Sequence, residues 1–368
     1  MGVGQRMRGI FAWWGAAGAL IALAGCESRP EEATAPGKAA PAEVAKGARS
    51  TAGEGRVIVY TALDREFSEP ILKRHEALRD TRVLAKYDVE STKTVGLTQL
   101  LIAEADRPRC DVFWNNEILN TIRLGRRGLL APIRPASAAA YPATFKSKDG
   151  TWYGFAARAR VLLVNTERVP PDARPKSIHD LTNPKWKGTI GFAKPLFGTT
   201  ATHAACLFAA WGPEKAKAYF RALKANGAQV LSGNKRVAQA VGSGDLAFGL
   251  TDTDDAMGEV DAGRPVAIVY PDREPQELGT LFLPNTLAVI KGCPDPVAAE
   301  RLVNDLLGPE VESTLAIGPS AQIPLNPAVT VKAKVETPRT VTPMAADWDK
   351  AVDLWDEAMS FLAAEFAG

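Results

Sequence analysis

The stretch Arg56-Val-Ile-Val-Tyr-Thr61 is a run of β-branched and aromatic residues that follows a glycine. This composition is typical of a strand that is buried on both faces of a parallel sheet. Apolar side chains then recur at intervals of three and four over residues 67–78, which predicts an amphipathic helix. Residues 81–87 repeat the strand composition. A strand, a helix and a second strand in this order predict a βαβ unit and therefore a parallel sheet.

The alternation of strand and helix candidates continues along the chain. Further strands are predicted at residues 110–114, 160–165, 188–192, 246–250 and 286–290, and further helices at residues 95–104 and 213–223. Residues 56–368 are more than a single hydrophobic core usually supports, so the sequence predicts two α/β lobes. Residues 347–366 place apolar side chains at helical spacing beside an acidic face, which predicts a helix that docks on the protein rather than on a membrane.

The first 55 residues have a different composition from the rest. Arg6 and Arg8 precede an apolar run that ends in Leu23-Ala24-Gly25-Cys26, the pattern of a secretory signal over residues 1–25. The last four residues resemble a bacterial lipobox, which implies that Cys26 is lipidated; an ordinary secretory signal followed by a cysteine is the alternative. Residues 26–55 are rich in Ala, Pro, Glu, Gly and Lys and predict a flexible tether. We therefore expect a lipid-anchored protein on the periplasmic side of the cell envelope or at the cell surface.

Charge and cysteine content exclude several classes of function. The chain has 44 basic and 42 acidic side chains, a balance that does not favour binding to nucleic acid. Cys110, Cys206 and Cys293 show no C-x-x-C spacing, so neither a zinc site nor a redox motif is indicated. One disulfide among them is compatible with an oxidising compartment, but we predict buried free thiols. We expect a monomer without a resident cofactor.

Five segments carry a resemblance to a known family. They are Val57-Ile-Val-Tyr-Thr61, Asp111-Val-Phe-Trp114, Gly128-Leu-Leu-Ala-Pro132, Arg158-Ala-Arg-Val-Leu-Leu-Val164 and Pro184-Lys-Trp-Lys-Gly-Thr-Ile-Gly-Phe192. In order and spacing these segments resemble the periplasmic ferric-ion-binding proteins of ABC transporters, from about residue 56 to residue 330. The resemblance implies a type II periplasmic-binding-protein fold, in which two α/β lobes joined by crossing strands close on a ligand by hinge motion.

The resemblance also implies lobe boundaries, a role and partners. One lobe would comprise residues 56–157 with about 284–310 returning to it, and the other residues 158–283 with about 311–368 packing on it. The implied role is that of a binding protein, not an enzyme, which delivers a small molecule or ion to an ABC permease. The sequence agrees with the absence of catalysis, since it has no nucleophile–base pairing and no H-E-x-x-H spacing.

The same resemblance points to ligand residues and to a departure from the family. Ferric binders hold the metal with a tyrosine pair, commonly with a His and a Glu, and a small anion lies at helix N-termini. Here Asp254 and Asp255 stand at the tyrosine positions, Asp64 stands where the His is often found, and Glu117 is one residue beyond the position of the Glu. These four carboxylates are the predicted metal ligands. Carboxylates gathered in one cleft raise each other's pKa unless a cation is supplied, so we expect a positively charged guest.

Other candidate ligand residues are polar side chains next to predicted strand ends and helix starts. They are Thr61, Ser91, Thr92, Asn115, Asn116, Thr199, Thr200, Asn234, Asp252 and Asn285. Hydroxyl and backbone N–H groups at a helix start bind anions, although ordinary helix capping explains the hydroxyl residues as well. Arg158 and Arg160 are expected at the crossover between the lobes, either paired with the acidic loop or in contact with the ligand. We predict that His75 lies on a helix surface.

Four functions remain open at this point. The first is import of Fe(III) or another hard cation, which oxygen ligands suit. The second keeps the fold but binds an organic cation or zwitterion, such as an aminophosphonate, a polyamine or thiamine. The third is a ligand-sensing lipoprotein, and the fourth a metal-dependent enzyme.

Overall fold

The structure is a computed structural model that describes residues 55–88 and 93–366. The predicted signal peptide, the tether up to residue 54, Cys26, Ser91 and Thr92 lie outside the described residues. The strands are β1 (Gly55–Thr61), β2 (Thr81–Tyr87), β3 (Val112–Asn115), β4 (Leu130–Ala131), β5 (Tyr153–Asn165), β6 (Ile190–Ala193), β7 (Gln229–Leu231), β8 (Phe248–Asp252), β9 (Val266–Val269) and β10 (Phe282–Ile290). The α-helices are α1 (Arg65–Arg79), α2 (Val95–Ala103), α3 (Leu119–Arg126), α4 (Gly198–Trp211), α5 (Pro213–Ala225), α6 (Asn234–Gly242), α7 (Thr253–Asp261), α8 (Pro296–Leu306), α9 (Pro309–Ile317), α10 (Trp348–Asp353) and α11 (Trp355–Phe366).

The strands form two mostly parallel regions joined by antiparallel crossing strands. In the first region β1 pairs in parallel with β2 and β3, and β10 runs antiparallel to β3 and β4. In the second region β6 pairs in parallel with β7 and β8. This arrangement confirms the predicted α/β class with two lobes and crossing strands.

Strand β5 joins the two regions. Its first half pairs with β10, and its second half pairs with β8 and β9. All 13 of its residues are buried, as expected for a strand covered on both faces. The predicted lobe boundary between residues 157 and 158 falls inside this strand, because β5 contributes to both lobes. The residue ranges assigned to each lobe stay a prediction.

Two apolar clusters form the core. One surrounds the fully buried Trp114 of β3 and includes Phe155 of β5. The other includes Phe192 of β6 and the side chains of Leu362 and Phe366 from α11. The Phe366 ring meets that of Phe192 edge to face, with 5.6 Å between the ring centroids. The prediction that the C-terminal helical segment docks on the protein is therefore confirmed.

Two further sequence predictions concern cysteines and membrane segments. Cys110, Cys206 and Cys293 are buried free thiols, as predicted. In the part of the chain that the structure describes, every helix is too short or too polar to cross a bilayer.

Two histidines are buried in the core. The prediction that His75 lies on a helix surface is wrong, because its ring is buried and its Nδ1 lies 3.0 Å from Asp305 Oδ2. His203 of α4 is also buried, and its Nδ1 has no hydrogen-bond partner among the described residues. Burial lowers the pKa of His203 well below its ordinary value, and the charge of Arg160 lowers it further.

We expect His203 to make the protein less stable in mild acid. An unfolded chain takes up a proton at a histidine pKa of about 6.5, whereas the native His203 stays neutral, so stability falls as the pH drops below that value. Between pH 7.5 and 5.5 this residue should cost about 1.4 kcal/mol, and His203→Gln should remove that part of the loss. Urea denaturation of both proteins at the two pH values measures the difference. An unchanged pH dependence in the variant would contradict the assignment.

Candidate functional site

A small cavity lies where the ends of strands β1, β3, β6 and β8 approach the starts of helices α4, α6 and α7. It is lined by Asp64, Lys93, Asn116, Arg158, Ala193, Lys194, Phe197, Gly198, Thr199, Thr200, Ser232, Gly233, Asn234, Asp252, Asp254 and Asp255. Its volume is about 20 Å³, which is room for about one water molecule. A solute larger than this needs a wider cavity than the structure shows.

The acidic wall of the cavity is the junction of β8 and α7. Asp252 is the last residue of β8 and the N-cap of α7, and Asp254 and Asp255 lie in the first turn of that helix. Acidic side chains are favourable there because the helix N-terminus carries a partial positive charge. The three residues can each present one carboxylate oxygen within 4.8 Å of the others.

Three of the four cavity carboxylates are already paired with cations. Arg160 Nη1 lies 2.6 Å from Asp252 Oδ1, and Arg158 Nη1 lies 3.0 Å from Asp254 Oδ2. Both pairs are almost fully buried. Asp64 pairs with Lys93. Of the two roles predicted for the arginines, the structure shows the pairing with the acidic loop, and Arg158 also lines the cavity.

Asp255 is the exception. Its carboxylate makes no hydrogen bond or ion pair with any described residue, although its backbone N–H donates to Asp254 Oδ1 at 3.1 Å. Burial raises the pKa of Asp255 well above its ordinary value, and the neighbouring Asp254 raises it further. Burial also raises the pKa of Asp254, although Arg158 opposes this effect. Burial would likewise raise the pKa of Asp64, but Lys93 holds it below its ordinary value.

Two helices begin at the cavity without a side-chain cap. The N-cap residue of α4 is Phe197, which has no hydrogen-bonding side chain, and that of α6 is Gly233. Thr199 and Thr200 of the first turn of α4 line the cavity, as does Lys194, the residue after β6. The two hydroxyls are already used, since Thr199 donates to Asp252 Oδ2 at 2.5 Å and Thr200 to Asn234 Oδ1 at 3.1 Å. Uncapped N–H groups and an ammonium group together can bind an oxyanion.

Asn116 adds an unsatisfied acceptor to the site. Its side chain is 2% exposed and lines the cavity, and Oδ1 has no partner among the described residues. A buried carbonyl oxygen without a donor is costly. A guest that carries an N–H or O–H group can satisfy it.

Eight of the predicted ligand residues line the cavity together: Asp64, Asn116, Thr199, Thr200, Asn234, Asp252, Asp254 and Asp255. The described residues Thr61, Asn115, Glu117 and Asn285 do not line it. Glu117 accepts hydrogen bonds from the backbone N–H of Leu119 at 2.7 Å and from the Thr202 hydroxyl at 2.8 Å. The Glu117 carboxylate thus stabilises the start of α3 and bonds to α4. This arrangement does not support a ligand role for Glu117.

The other three residues also have internal partners. Thr61 Oγ1 accepts from the backbone N–H of Leu63 at 3.2 Å. Asn115 Nδ2 donates to Glu117 Oε1 at 2.8 Å. Asn285 lies in β10 and bonds to Arg158 and Gln322 rather than facing the cavity.

The prediction that the cavity demands a net positive guest requires correction. Lys93, Lys194 and Arg158 line the cavity and Arg160 pairs with Asp252 behind its wall, so basic side chains stand beside its carboxylates. Lys194 lies two residues after the strand candidate at residues 188–192, and this position was the signal that could have revealed it. Lys93 stands in a polar loop, where sequence alone gives a lysine no special meaning.

Two lobes joined by crossing strands, with a polar cavity closed between them, define a binding protein for a small solute. The sequence pattern of the family described as "Bacterial extracellular solute-binding protein" matches residues 122–353. The chain belongs to this family.

Relatives and solved structures agree with this membership. "Iron uptake protein A1" of Synechocystis sp. is 24% identical over 275 residues, which cover 68% of this chain and 75% of the relative. Iron-bound HitA from Pseudomonas aeruginosa superposes with a TM-score of 0.76 at 23% identity, over 84% of this chain and 99% of the other. The periplasmic binding protein AfuA from Actinobacillus pleuropneumoniae, with fructose-6-phosphate bound, also gives 0.76 at 23% identity, over 86% and 99% of the two chains. At this level of identity the structural likeness shows the fold alone.

Proposed function

We propose that this protein captures a small zwitterionic solute outside the cytoplasmic membrane and delivers it to an ABC permease. The observation that carries this proposal is the charge balance of the cavity. Asp64, Asp252 and Asp254 are paired with cations, which leaves the Asp255 carboxylate as the one cavity acid without a partner among the described residues. One ammonium group neutralises the single negative charge of this carboxylate, whereas a multivalent metal ion brings more positive charge than it can balance.

The other end of the guest is an oxyanion. The starts of α4 and α6 supply uncapped N–H groups, and Lys194 supplies a positive charge. A phosphonate, phosphate or carboxylate accepts several such donors at once. An aminophosphonate combines both ends in one small molecule.

Fe(III) is the second candidate, and a specific observation favours it. Asp252, Asp254 and Asp255 can each place one carboxylate oxygen within 4.8 Å of the others, and the relative in Synechocystis is named for iron uptake. Against it, no tyrosine lines the cavity in the described part of the chain, and two of the three carboxylates are neutralised by buried arginines. Iron bound here would give no strong phenolate-to-iron absorption band.

A thermal-shift screen separates the two candidates. The probes are Fe(III)-citrate, putrescine, thiamine, 2-aminoethylphosphonate and ethylphosphonate, which lacks the amine. We expect 2-aminoethylphosphonate to raise the Tm most. Asp255→Asn should weaken its binding about ten- to a hundredfold, because a hydrogen bond between charged groups contributes about 1.5–3 kcal/mol.

Asp261→Asn is the matched control for this variant. Asp261 is exposed at the far end of the same helix, and within residues 55–88 and 93–366 its one ion pair is with Lys334, at 3.4 Å, so its replacement should leave binding unchanged. A larger shift with Fe(III) than with any organic probe, reduced in Asp255→Asn and kept in Asp261→Asn, would reject the zwitterion and favour the metal at this site.

We also propose that Cys26 is lipidated and holds the protein at the membrane surface. The support is the order Leu23-Ala24-Gly25-Cys26 at the end of the apolar run. Mass spectrometry of the N-terminal peptide of the mature protein tests this directly, since an unmodified cysteine at that position would exclude the anchor.

A further inference from the structure

The backbone is irregular at one position along the crossing strands β5 and β10. Ala156 in β5 has φ +43 and Ala321 has φ +45, which is uncommon for residues other than glycine. The register between β5 and β10 shifts between Leu283 and Asn285. Strained or shifted backbone in neighbouring segments at the junction of two lobes marks the place where the chain can bend.

The segment around Ile323 runs beside β5 at the same position along that strand. Ala157 donates its N–H to the carbonyl of Ile323 at 2.8 Å, and Ile323 donates back at 2.7 Å. These two amides therefore report whether the crossing segments stay paired. We call the pair Ala157 and Ile323 the hinge bridge.

The buried carboxylate of Glu312 fixes the strained backbone next to this bridge. It accepts the N–H of Ala156 at 2.5 Å and the N–H groups of Leu325 and Asn326 at 3.0 and 2.7 Å. One side chain thus ties β5 to the segment that follows Ala321. The hinge is held by specific polar contacts rather than by packing alone.

Asn285 extends these contacts toward the cavity. Its Nδ2 donates to the carbonyl of Ala156 and, at 2.9 Å, to Gln322 Oε1. Its Oδ1 accepts from Arg158 Nη2 at 3.3 Å. The other terminal nitrogen of Arg158 holds Asp254 at 3.0 Å. A continuous buried chain therefore runs from Asp254 through Arg158 and Asn285 to the strained residue of the hinge.

We propose that Asn285 is a positioning residue that couples the acidic wall of the cavity to the hinge. A change in how Asp254 holds Arg158 alters the position of Asn285, and Asn285 alters the pairing of the hinge bridge. Coupling carried through a contiguous set of contacts should act in both directions. The inference builds on the solute-binding role, but its test requires no solute, so the two can fail separately.

Hydrogen–deuterium exchange of the solute-free protein tests the coupling. Asn285→Ala should speed exchange of the hinge-bridge amides about tenfold, because local opening sets exchange rates. Asn226→Ala is the matched control: Asn226 is also buried and donates to the carbonyls of Leu181 and Asn183 at 2.9 and 3.1 Å, away from the hinge. It should leave the hinge-bridge amides unchanged.

Asp254→Asn separates coupling from a purely structural role of Asn285. It keeps the shape of the side chain but weakens its hold on Arg158, and we expect it to speed exchange at the hinge bridge as well. Combined with Asn285→Ala, its effect should be clearly less than multiplicative, since both variants break one chain of contacts. Multiplicative effects in the double variant would overturn the proposal. Unchanged hinge exchange in Asp254→Asn would overturn it as well, even if Asn285→Ala does not fold.

Discussion

Replacing Arg160 with alanine should lower the free energy of unfolding by about 3–5 kcal/mol, since removal of one partner leaves a buried charge uncompensated. Arg160 is 0% exposed and its partner Asp252 is 2% exposed. The guanidinium also donates to the hydroxyls of Thr199 and Thr200, both at 3.2 Å. Chemical denaturation of the purified protein measures the loss.

Two further variants define the cause of this effect. Adding Asp252→Asn to Arg160→Ala removes the orphaned charge and should restore part of the lost stability. Arg126→Ala breaks ion pairs with Asp349 and Asp353, which are exposed at the surface, so it should cost less than about 1 kcal/mol. Equal losses for Arg160→Ala and Arg126→Ala would show that burial of the first pair is incorrectly assigned.

Replacing Leu362 with alanine should lower the free energy of unfolding by about 2–5 kcal/mol, because it removes buried methyl groups and leaves a cavity. Leu362 of α11 is 0% exposed within the second apolar cluster. The loss appears as a lower midpoint in urea or guanidinium denaturation. A loss of this size requires that the C-terminal helix is part of the folded core.

Leu78→Ala is the matched control, with the same change of side chain on another helix. Leu78 of α1 is 67% exposed, so its replacement should change stability by no more than about 0.5 kcal/mol. If Leu362→Ala is as mild as this control, α11 is only loosely attached.

The candidate site shows where sequence reasoning reaches its limit. Asp64, Asp254 and Asp255 were predicted together, because each follows or ends a readable strand and the family places ligands at those positions. Glu117 follows a strand in the same way, yet it caps its own helix and bonds to Thr202 of α4. Local sequence cannot distinguish an acidic side chain that turns into a cleft from one that turns back to a helix start.

The sequence by itself determined the α/β class, the two lobes and the docking of the C-terminal helix. The α/β class and the docked helix follow from the spacing of apolar residues, which is local to each segment, and the two lobes follow from the length of the chain. The charge of the cavity was decided by the tertiary structure, which brings Lys93, Arg158 and Lys194 to the acidic loop from separate parts of the chain. The physical reason is that the field at a site depends on distances between side chains remote in sequence, and only the folded chain fixes those distances.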